Sequence, residues 1–344
     1  MARPFRIGVT SDFLDAQGKL AFPDIGLDTL DGVAGIEWEF MPGQSDVVTA
    51  EQAATYDGIV VLRPAVTAAT VSGPDRRLGV IARFGVGYDK VDVPALTANG
   101  VLLAIATDGV RRPVAQAVLT FILMLAGRVM DKDRITRAGQ WGRAGEFMGM
   151  GVTGRTLGLV GVGNIGGEIV GLVKPFGMRV LAHDPYCRPE VAAKLGVTLV
   201  DLDTLVREAD FVSVNCPLND QTRGMIGARQ FAQMKPTAYL INTARGPIVA
   251  ESDLYQALKE RRIAGAGLDV FEEEPTPATN PILALDNVIV TPHALCWTDE
   301  CFRGNGASAF RACIALARGE VPNHIVNRDA LKHPSMQTRV GAAV

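Results

Sequence analysis

The chain is poor in the features that mark secreted, membrane-spanning and nucleic-acid-binding proteins. Its five cysteines, Cys187, Cys216, Cys296, Cys301 and Cys313, are odd in number and form no C-x-x-C pair. Neither a disulfide framework nor a zinc or other metal site is expected, and reduced thiols fit a cytoplasmic location. The amino terminus, Met1-Ala2-Arg3-Pro4-Phe5, lacks the apolar run of a signal peptide. The most apolar segment, Val114 to Ala126, is too short for a bilayer span and carries Gln116, so a buried helix is expected there. Formal net charge is only −3 and no long basic run occurs, which points away from nucleic acid and from anionic membranes. What is present is ordinary for a soluble globular protein: 48% hydrophobic, 21% charged and 6% aromatic residues. At 344 residues the chain exceeds one ordinary core, so two domains are expected. The 37 glycines fit an α/β protein with many strand-to-helix turns.

The most informative stretch runs from Thr156 to Gly166. Leu157 to Val160 reads as a buried strand. Gly161, Gly163 and Gly166 follow with G-x-G-x-x-G spacing where a helix should begin. Gly161 permits the tight turn, Gly163 lets a pyrophosphate approach the backbone, and Gly166 lets helix and strand pack closely. The helix start, with Asn164 and Ile165 between the glycines, then offers N–H groups and a positive dipole end to phosphates. A helical pattern through Ile169, Leu172, Val173 and Phe176 ends at Gly177, and a strand is expected at Met178–Ala182. Asp184, eighteen residues beyond Gly166, can accept hydrogen bonds from ribose hydroxyls. Its charge would repel a 2′-phosphate, so the expected cofactor is NAD rather than NADP, with Arg188 near enough to weaken the preference.

Before this stretch, strands are expected at Phe5–Val9, Ile36–Phe40, Gly58–Leu62, Val80–Phe84 and Val101–Ile105. Their alternation with amphipathic stretches predicts a parallel, doubly wound sheet. Functional groups of such sheets lie just past the carboxyl ends of strands. Arg63 and the turn Gly85-Val86-Gly87-Tyr88-Asp89 hold such positions, and the turn's backbone N–H groups can bind a carboxylate. Asp108 to Pro113 reads as a hinge-like break before a helix from Val114 to Met130. A polar, glycine-dotted arm follows, with Trp141, Phe147, Met148 and Met150 expected to be exposed. Such an arm predicts a partner surface, and a second copy is the commonest partner, which gives a homodimer built through residues 114–150.

From Thr156 onward six strands are expected, at Leu157–Val160, Met178–Ala182, Phe211–Asn215, Ala238–Asn242, Gly265–Val270 and Val288–Thr291. A helix from Ser252 to Arg262 should open with Ser252 as its cap. A last helix, roughly Thr298 to Arg318, should return to the first domain, because the dinucleotide fold is complete by then. Three strand ends carry reactive side chains: Arg245, Glu274 and His293. If those strands are neighbours, the three face the crevice where a nicotinamide would lie. An arginine fork can pair with a carboxylate and polarise the adjacent carbonyl. A histidine can supply the proton a new alkoxide needs, and a carboxylate behind it holds the tautomer and favours the protonated ring.

At these residues the sequence resembles the D-isomer-specific 2-hydroxyacid dehydrogenase family, which includes phosphoglycerate dehydrogenases, glyoxylate/hydroxypyruvate reductases and D-lactate dehydrogenases. The matching motifs are Gly85-Val86-Gly87-Tyr88-Asp89, the Gly161 fingerprint, Cys216-Pro217-Leu218, Asn242-Thr243-Ala244-Arg245-Gly246, Gly267-Leu268-Asp269-Val270-Phe271 through Glu274-Pro275, and Pro292-His293. They span the chain from about Arg63 to Asn327. The resemblance implies Arg245 as the substrate-binding, carbonyl-polarising residue, His293 as general acid/base and Glu274 as its partner. It implies Asp269 at the nicotinamide amide, with Cys216, Pro217, Thr243 and Ala244 also at the cofactor. The N–H groups of Val86 and Gly87 would hold the substrate carboxylate, and Arg63 and Trp297 are counted with them as substrate-binding.

The implied fold is two doubly wound α/β domains with a cleft between them. A discontinuous, flavodoxin-like substrate domain would comprise 1–107 plus 298–344, and a Rossmann NAD domain 108–297. Three departures bear on the substrate: Asn215 where the family often has His, Gln116 where it often has Glu, and Ala294-Leu295-Cys296-Trp297 after His293. At this length the regulatory domain of some phosphoglycerate dehydrogenases is not expected. Phosphite and formate dehydrogenases share the architecture, and an NAD(H)-sensing co-repressor-type module is a further alternative. The intact Arg245, Glu274 and His293 set favours turnover of a small D-2-hydroxy acid and its 2-keto acid, although no residue names the acid.

Overall fold

The structure is a computed structural model and describes residues 3–43, 45–73 and 76–341. The chain forms two compact units, Met1–Val110 with Trp297–Val344, and Arg111–Cys296. In the first unit the strands are β1 (Phe5–Val9), β2 (Ile36–Phe40), β3 (Gly58–Val61), β4 (Val80–Arg83) and β5 (Leu102–Ile105). They pair in parallel in the order β2-β1-β3-β4-β5, the flavodoxin-like arrangement. β3 is buried along its whole length, as expected for an apolar run covered on both faces. The helix Asp299–Ala317 packs on β3, β4 and β5. It starts where the Thr298 hydroxyl accepts the Cys301 N–H at 3.1 Å.

The second unit holds β6 (Thr156–Val160), β7 (Arg179–His183), β8 (Thr198–Leu199), β9 (Phe211–Val214), β10 (Tyr239–Asn242), β11 (Gly265–Leu268) and β12 (Val288–Val290). Their order is β12-β11-β10-β9-β6-β7-β8, all parallel, which is the dinucleotide-binding order with one strand added at the edge. The sheet therefore has seven strands rather than six. β8 is only two residues long, too short to register as an apolar run.

One device recurs in both units. Asp57, just before β3, exchanges backbone and side-chain bonds with Arg6 of β1: Arg6 N–H to Asp57 Oδ2 at 2.9 Å and Asp57 N–H to the Arg6 carbonyl at 2.8 Å. Asp210, just before β9, does the same with Thr156 of β6, both bonds being 2.8 Å. Each aspartate is nearly inaccessible and has a cationic partner, Arg77 for Asp57 and Lys235 for Asp210. A buried carboxylate so paired satisfies an N–H at the start of the neighbouring strand instead of costing stability.

Three sequence expectations give way. No break precedes Val114: one helix runs Thr107–Gly127 with Pro113 inside it. Pro113 has no N–H to donate to the preceding turn, and burial of Ala115, Val118, Phe121, Ile122 and Leu125 in the core of the second unit holds the helix through it. This helix is long and apolar enough by length and composition to cross a membrane, yet 56% of that window is buried inside the protein. It ends at Arg128, whose φ of 50° breaks the helical path, and a second helix runs Val129–Arg137. In the arm, Phe147 is buried rather than exposed, and Met150 is half-buried against the core of the second unit. The Phe147 ring lies under the guanidinium groups of Arg128 and Arg143, at 4.9 and 5.7 Å. Finally, Ser252 is not a cap: the helix is Glu251–Lys259, and Ala250 at its cap makes no side-chain bond.

Candidate cofactor and catalytic site

After β6 the chain turns at Gly161, with φ of 95°, a conformation that favours glycine. A Cβ there would meet the Cys216 nitrogen at 2.9 Å, and one at Gly166 would meet the Gly161 carbonyl oxygen at 2.6 Å. Gly163 differs, because a Cβ there meets nothing within 4 Å. Its backbone faces open space, directly before the helix Asn164–Val173, which has no side-chain cap. The N–H groups of the first helical turn, from Asn164, Ile165 and Gly166, are thus available to an anion.

Asp184 stands beside this turn at the end of β7. Its Oδ2 accepts the Val162 N–H at 2.9 Å and its Oδ1 the Tyr186 N–H at 3.0 Å. Each oxygen keeps lone-pair capacity for a ribose hydroxyl. Arg188 is exposed, 3.6 Å from Glu190. Burial, reinforced by the Asp184 charge, pushes the Cys216 thiol up to about 11. The thiol therefore stays protonated at neutral pH, which makes it a poor nucleophile. An open glycine cradle, an uncapped helix start and an anchored carboxylate fit a dinucleotide.

β10, β11 and β12 are neighbours, so their carboxyl-terminal loops stand side by side. Buried Asn242 organises the first loop. Its Oδ1 accepts the Ala244 N–H at 3.0 Å and its Nδ2 donates to the Arg245 carbonyl at 2.9 Å, bracketing Thr243 to Arg245. The half-buried Arg245 donates from Nη1 to the Ala244 carbonyl at 2.7 Å. Gly246 presses on the second loop, since a Cβ there would lie 1.9 Å from the Phe271 carbonyl carbon.

In that second loop Glu274 Oε1 accepts the Phe271 N–H at 3.0 Å, and Oε2 meets His293 Nδ1 at 2.7 Å. Glu274 is exposed as a residue, but partial desolvation of its carboxyl beside His293 is the largest single influence on it and pushes it up. The His293 hydrogen bond and charge, the Phe271 N–H and the Arg245 charge together outweigh it and hold the group below the ordinary glutamate value. His293 itself has φ of 54°, in the left-handed region. Asp269, almost fully buried, holds the chain there. Its Oδ1 accepts the Thr291 hydroxyl at 2.6 Å and the Ala294 and Leu295 N–H groups at 2.9 and 3.1 Å, on both sides of His293.

Arg245, Glu274, His293 and Asp269 are therefore brought together within the second unit. The expected substrate residues Arg63, Val86, Gly87 and Trp297 lie in the first. Arg63 is exposed past β3, its N–H bonded to Asp12 Oδ2 at 2.9 Å. Val86 and Gly87 follow Gly85, whose φ is 133°, in the turn after β4. Trp297 packs its ring against Phe22 and Phe302, at 5.5 and 5.2 Å, and stays 41% exposed. Sequence reasoning assigned no task to Asn242 or Gly246. A polar residue closing an apolar strand, followed by small residues, was the available signal.

A dinucleotide cradle and a carboxylate-backed histidine at the carboxyl ends of one parallel sheet define a nicotinamide-dependent dehydrogenase. The family model described as "D-isomer specific 2-hydroxyacid dehydrogenase, NAD binding domain" matches residues 119–294, just over half of the chain. The glyoxylate reductase of Korarchaeum cryptofilum is 37% identical over 314 residues, which cover 90% of this chain and 95% of that protein. The D-3-phosphoglycerate dehydrogenase of Methanocaldococcus jannaschii is 41% identical over 252 residues, 73% of this chain but only 48% of that longer protein. A structure of D-lactate dehydrogenase with NAD+ from Lactobacillus jensenii superimposes with a TM-score of 0.75 at 28% identity, covering 94% of this chain and 100% of that one. The chain belongs to the D-isomer specific 2-hydroxyacid dehydrogenase family, whose NAD-dependent enzymes interconvert 2-hydroxy acids and 2-keto acids.

Proposed function

We propose that this enzyme reduces a small 2-keto acid, glyoxylate or hydroxypyruvate, to the corresponding hydroxy acid (the D form where a stereocentre results), with Arg245, Glu274 and His293 as its catalytic set. The observation that carries the reading is the 2.7 Å contact between His293 Nδ1 and Glu274 Oε2. With Nδ1 committed to Glu274, proton exchange with the substrate falls to Nε2. Bound NADH supplies the hydride. As the carbonyl oxygen gains negative charge, His293 donates its proton, and Glu274 stabilises the imidazolium before that step. The Arg245 fork pairs with the substrate carboxylate and polarises the neighbouring carbonyl.

Gly161, Gly163, Asn164, Ile165 and Gly166 serve the pyrophosphate and Asp184 the ribose, with Cys216, Pro217, Thr243 and Ala244 lining the cofactor. Asp269 serves the nicotinamide amide through Oδ2, because Oδ1 is taken by the His293 loop. Val86 and Gly87 N–H groups hold the substrate carboxylate, and Arg63 and Trp297 contribute from the same unit. The small-substrate reading draws support from the Korarchaeum glyoxylate reductase, which matches nearly end to end. Five cysteines with no disulfide among the described residues support a reducing, cytoplasmic setting. Exposed Val129, Met130, Trp141 and Met148 support a homodimer through this region. Incubation with NADH and a panel of 2-keto acids tests the reaction. Oxidation of NADH with glyoxylate or hydroxypyruvate is expected, whereas binding without any oxidation would instead mark an NADH sensor.

A further inference from the structure

The loop that carries Glu274 is held from outside the catalytic set. Residues 272–275 are all exposed, and a loop so open to water does not hold a side chain in place by packing. The helix Glu251–Lys259 supplies the restraint. Glu251 Oε2 accepts the Glu272 N–H at 2.8 Å, and Glu272 Oε1 in return accepts the Glu251 N–H at 3.1 Å. The second oxygen, Glu251 Oε1, accepts a hydrogen bond from Asn280 Nδ2 at 2.6 Å. The same Asn280 nitrogen donates to Thr276 Oγ1 at 3.0 Å, and its Oδ1 accepts the Ile282 N–H at 3.0 Å. One carboxylate thus ties both ends of the segment 272–280, and Glu274 lies between the ties.

We propose that Glu251 is a positioning residue for the Glu274–His293 pair, a role that rests on the catalytic reading above. Both carboxylate oxygens are used as acceptors, so the ionised side chain matches the two donors. Gln at this position keeps the length, but its amide nitrogen must face one donor, so one tie is lost. The segment then loosens, Glu274 spends less time against His293 Nδ1, and the protonated imidazole loses part of its stabilising partner. Position 251 is also the first residue of a helix, where a negative charge is favourable for stability alone. Asp253, in the same first turn and bonded to the Ala228 N–H at 2.9 Å, is the control for that effect.

The test is the pH profile of keto-acid reduction in wild type, E251Q, E274Q, the double variant E251Q/E274Q, and D253N, with NADH affinity and Tm measured alongside. E251Q is expected to lower kcat by about 3–10-fold, the worth of one net hydrogen bond. It should also move the alkaline limb to lower pH, in the same direction as E274Q and by less. In the double variant E251Q should add nothing to the limb shift, because Glu274 is no longer there to position. NADH affinity should be unchanged, and D253N should lower Tm while leaving the limb in place. A limb that moves in E274Q but not in E251Q would overturn the positioning role alone. So would an E251Q effect on the limb that persists undiminished in the double variant. A limb that does not move in E274Q would overturn the catalytic pair, and the positioning role with it.

Discussion

The His293–Glu274 contact carries the chemistry at the residue scale. His293→Ala is expected to lower kcat by roughly 10²–10⁴, the usual share of general acid–base catalysis, with NADH binding retained. Glu274→Gln removes the charge that stabilises the protonated ring, so reduction should fade at lower pH than in wild type, read from kcat/KM against pH. The same substitution tests stability. Because Glu274 is held below the ordinary glutamate value, its contribution is complete above that value and disappears as pH falls through the lowered one. The Tm gap between wild type and Glu274→Gln should therefore close on acidification. Arg245→Lys keeps the charge but loses the planar fork, and it should raise KM for the keto acid while the NADH dissociation constant stays put.

Among the elements, strands β1 and β6 depend on aspartates that precede their neighbours β3 and β9. Asp210→Ala leaves the Thr156 N–H buried without an acceptor and deprives Lys235 of its partner. A loss of about 1–3 kcal/mol in urea unfolding is expected. The fit of the helix Thr107–Gly127 to the sheet turns on Gly267 of β11. A Cβ there would lie 2.6 Å from Cγ of the Phe121 ring, which is fully buried. Gly267→Ala should cost about 1–3 kcal/mol through overpacking, measured the same way. The strand pattern was legible as apolar runs bounded by glycine and proline, and it located eleven of the twelve strands. Helix ends were less legible. A serine near a helix start looks like a cap until the backbone shows that the helix has already begun at Glu251.

For the whole molecule, cofactor choice and assembly are the properties to measure. Asp184 beside the glycine turn should give NADH a higher kcat/KM than NADPH, and Asp184→Ser should narrow the gap by removing the charge that repels a 2′-phosphate. Equal efficiency of the wild type with both cofactors would contradict this. A homodimer predicts a sedimentation mass twice that of the chain at micromolar concentration. Trp141→Glu at the exposed arm should shift it toward monomer without loss of secondary structure.

The sequence by itself determined the two parallel α/β units, the glycine cradle, and the identity of Arg245, Glu274 and His293 as candidates. Those signals are local, because an apolar run, a glycine spacing or a residue just past a strand needs no knowledge of distant partners. Only the tertiary structure decided which loops touch. The adjacency of β10, β11 and β12 puts Glu274 against His293, nineteen residues further along the chain. It lets Asp269 hold the loop on both sides of His293, and lets Glu251 reach a segment that begins 21 residues later. Phe147 likewise reads as an exposed aromatic until Arg128 and Arg143 cover it. Apart from the local Arg143–Phe147 contact, these are hydrogen bonds and packing contacts between residues well separated in the chain, and strand order, which no local pattern specifies, brings the catalytic ones into register.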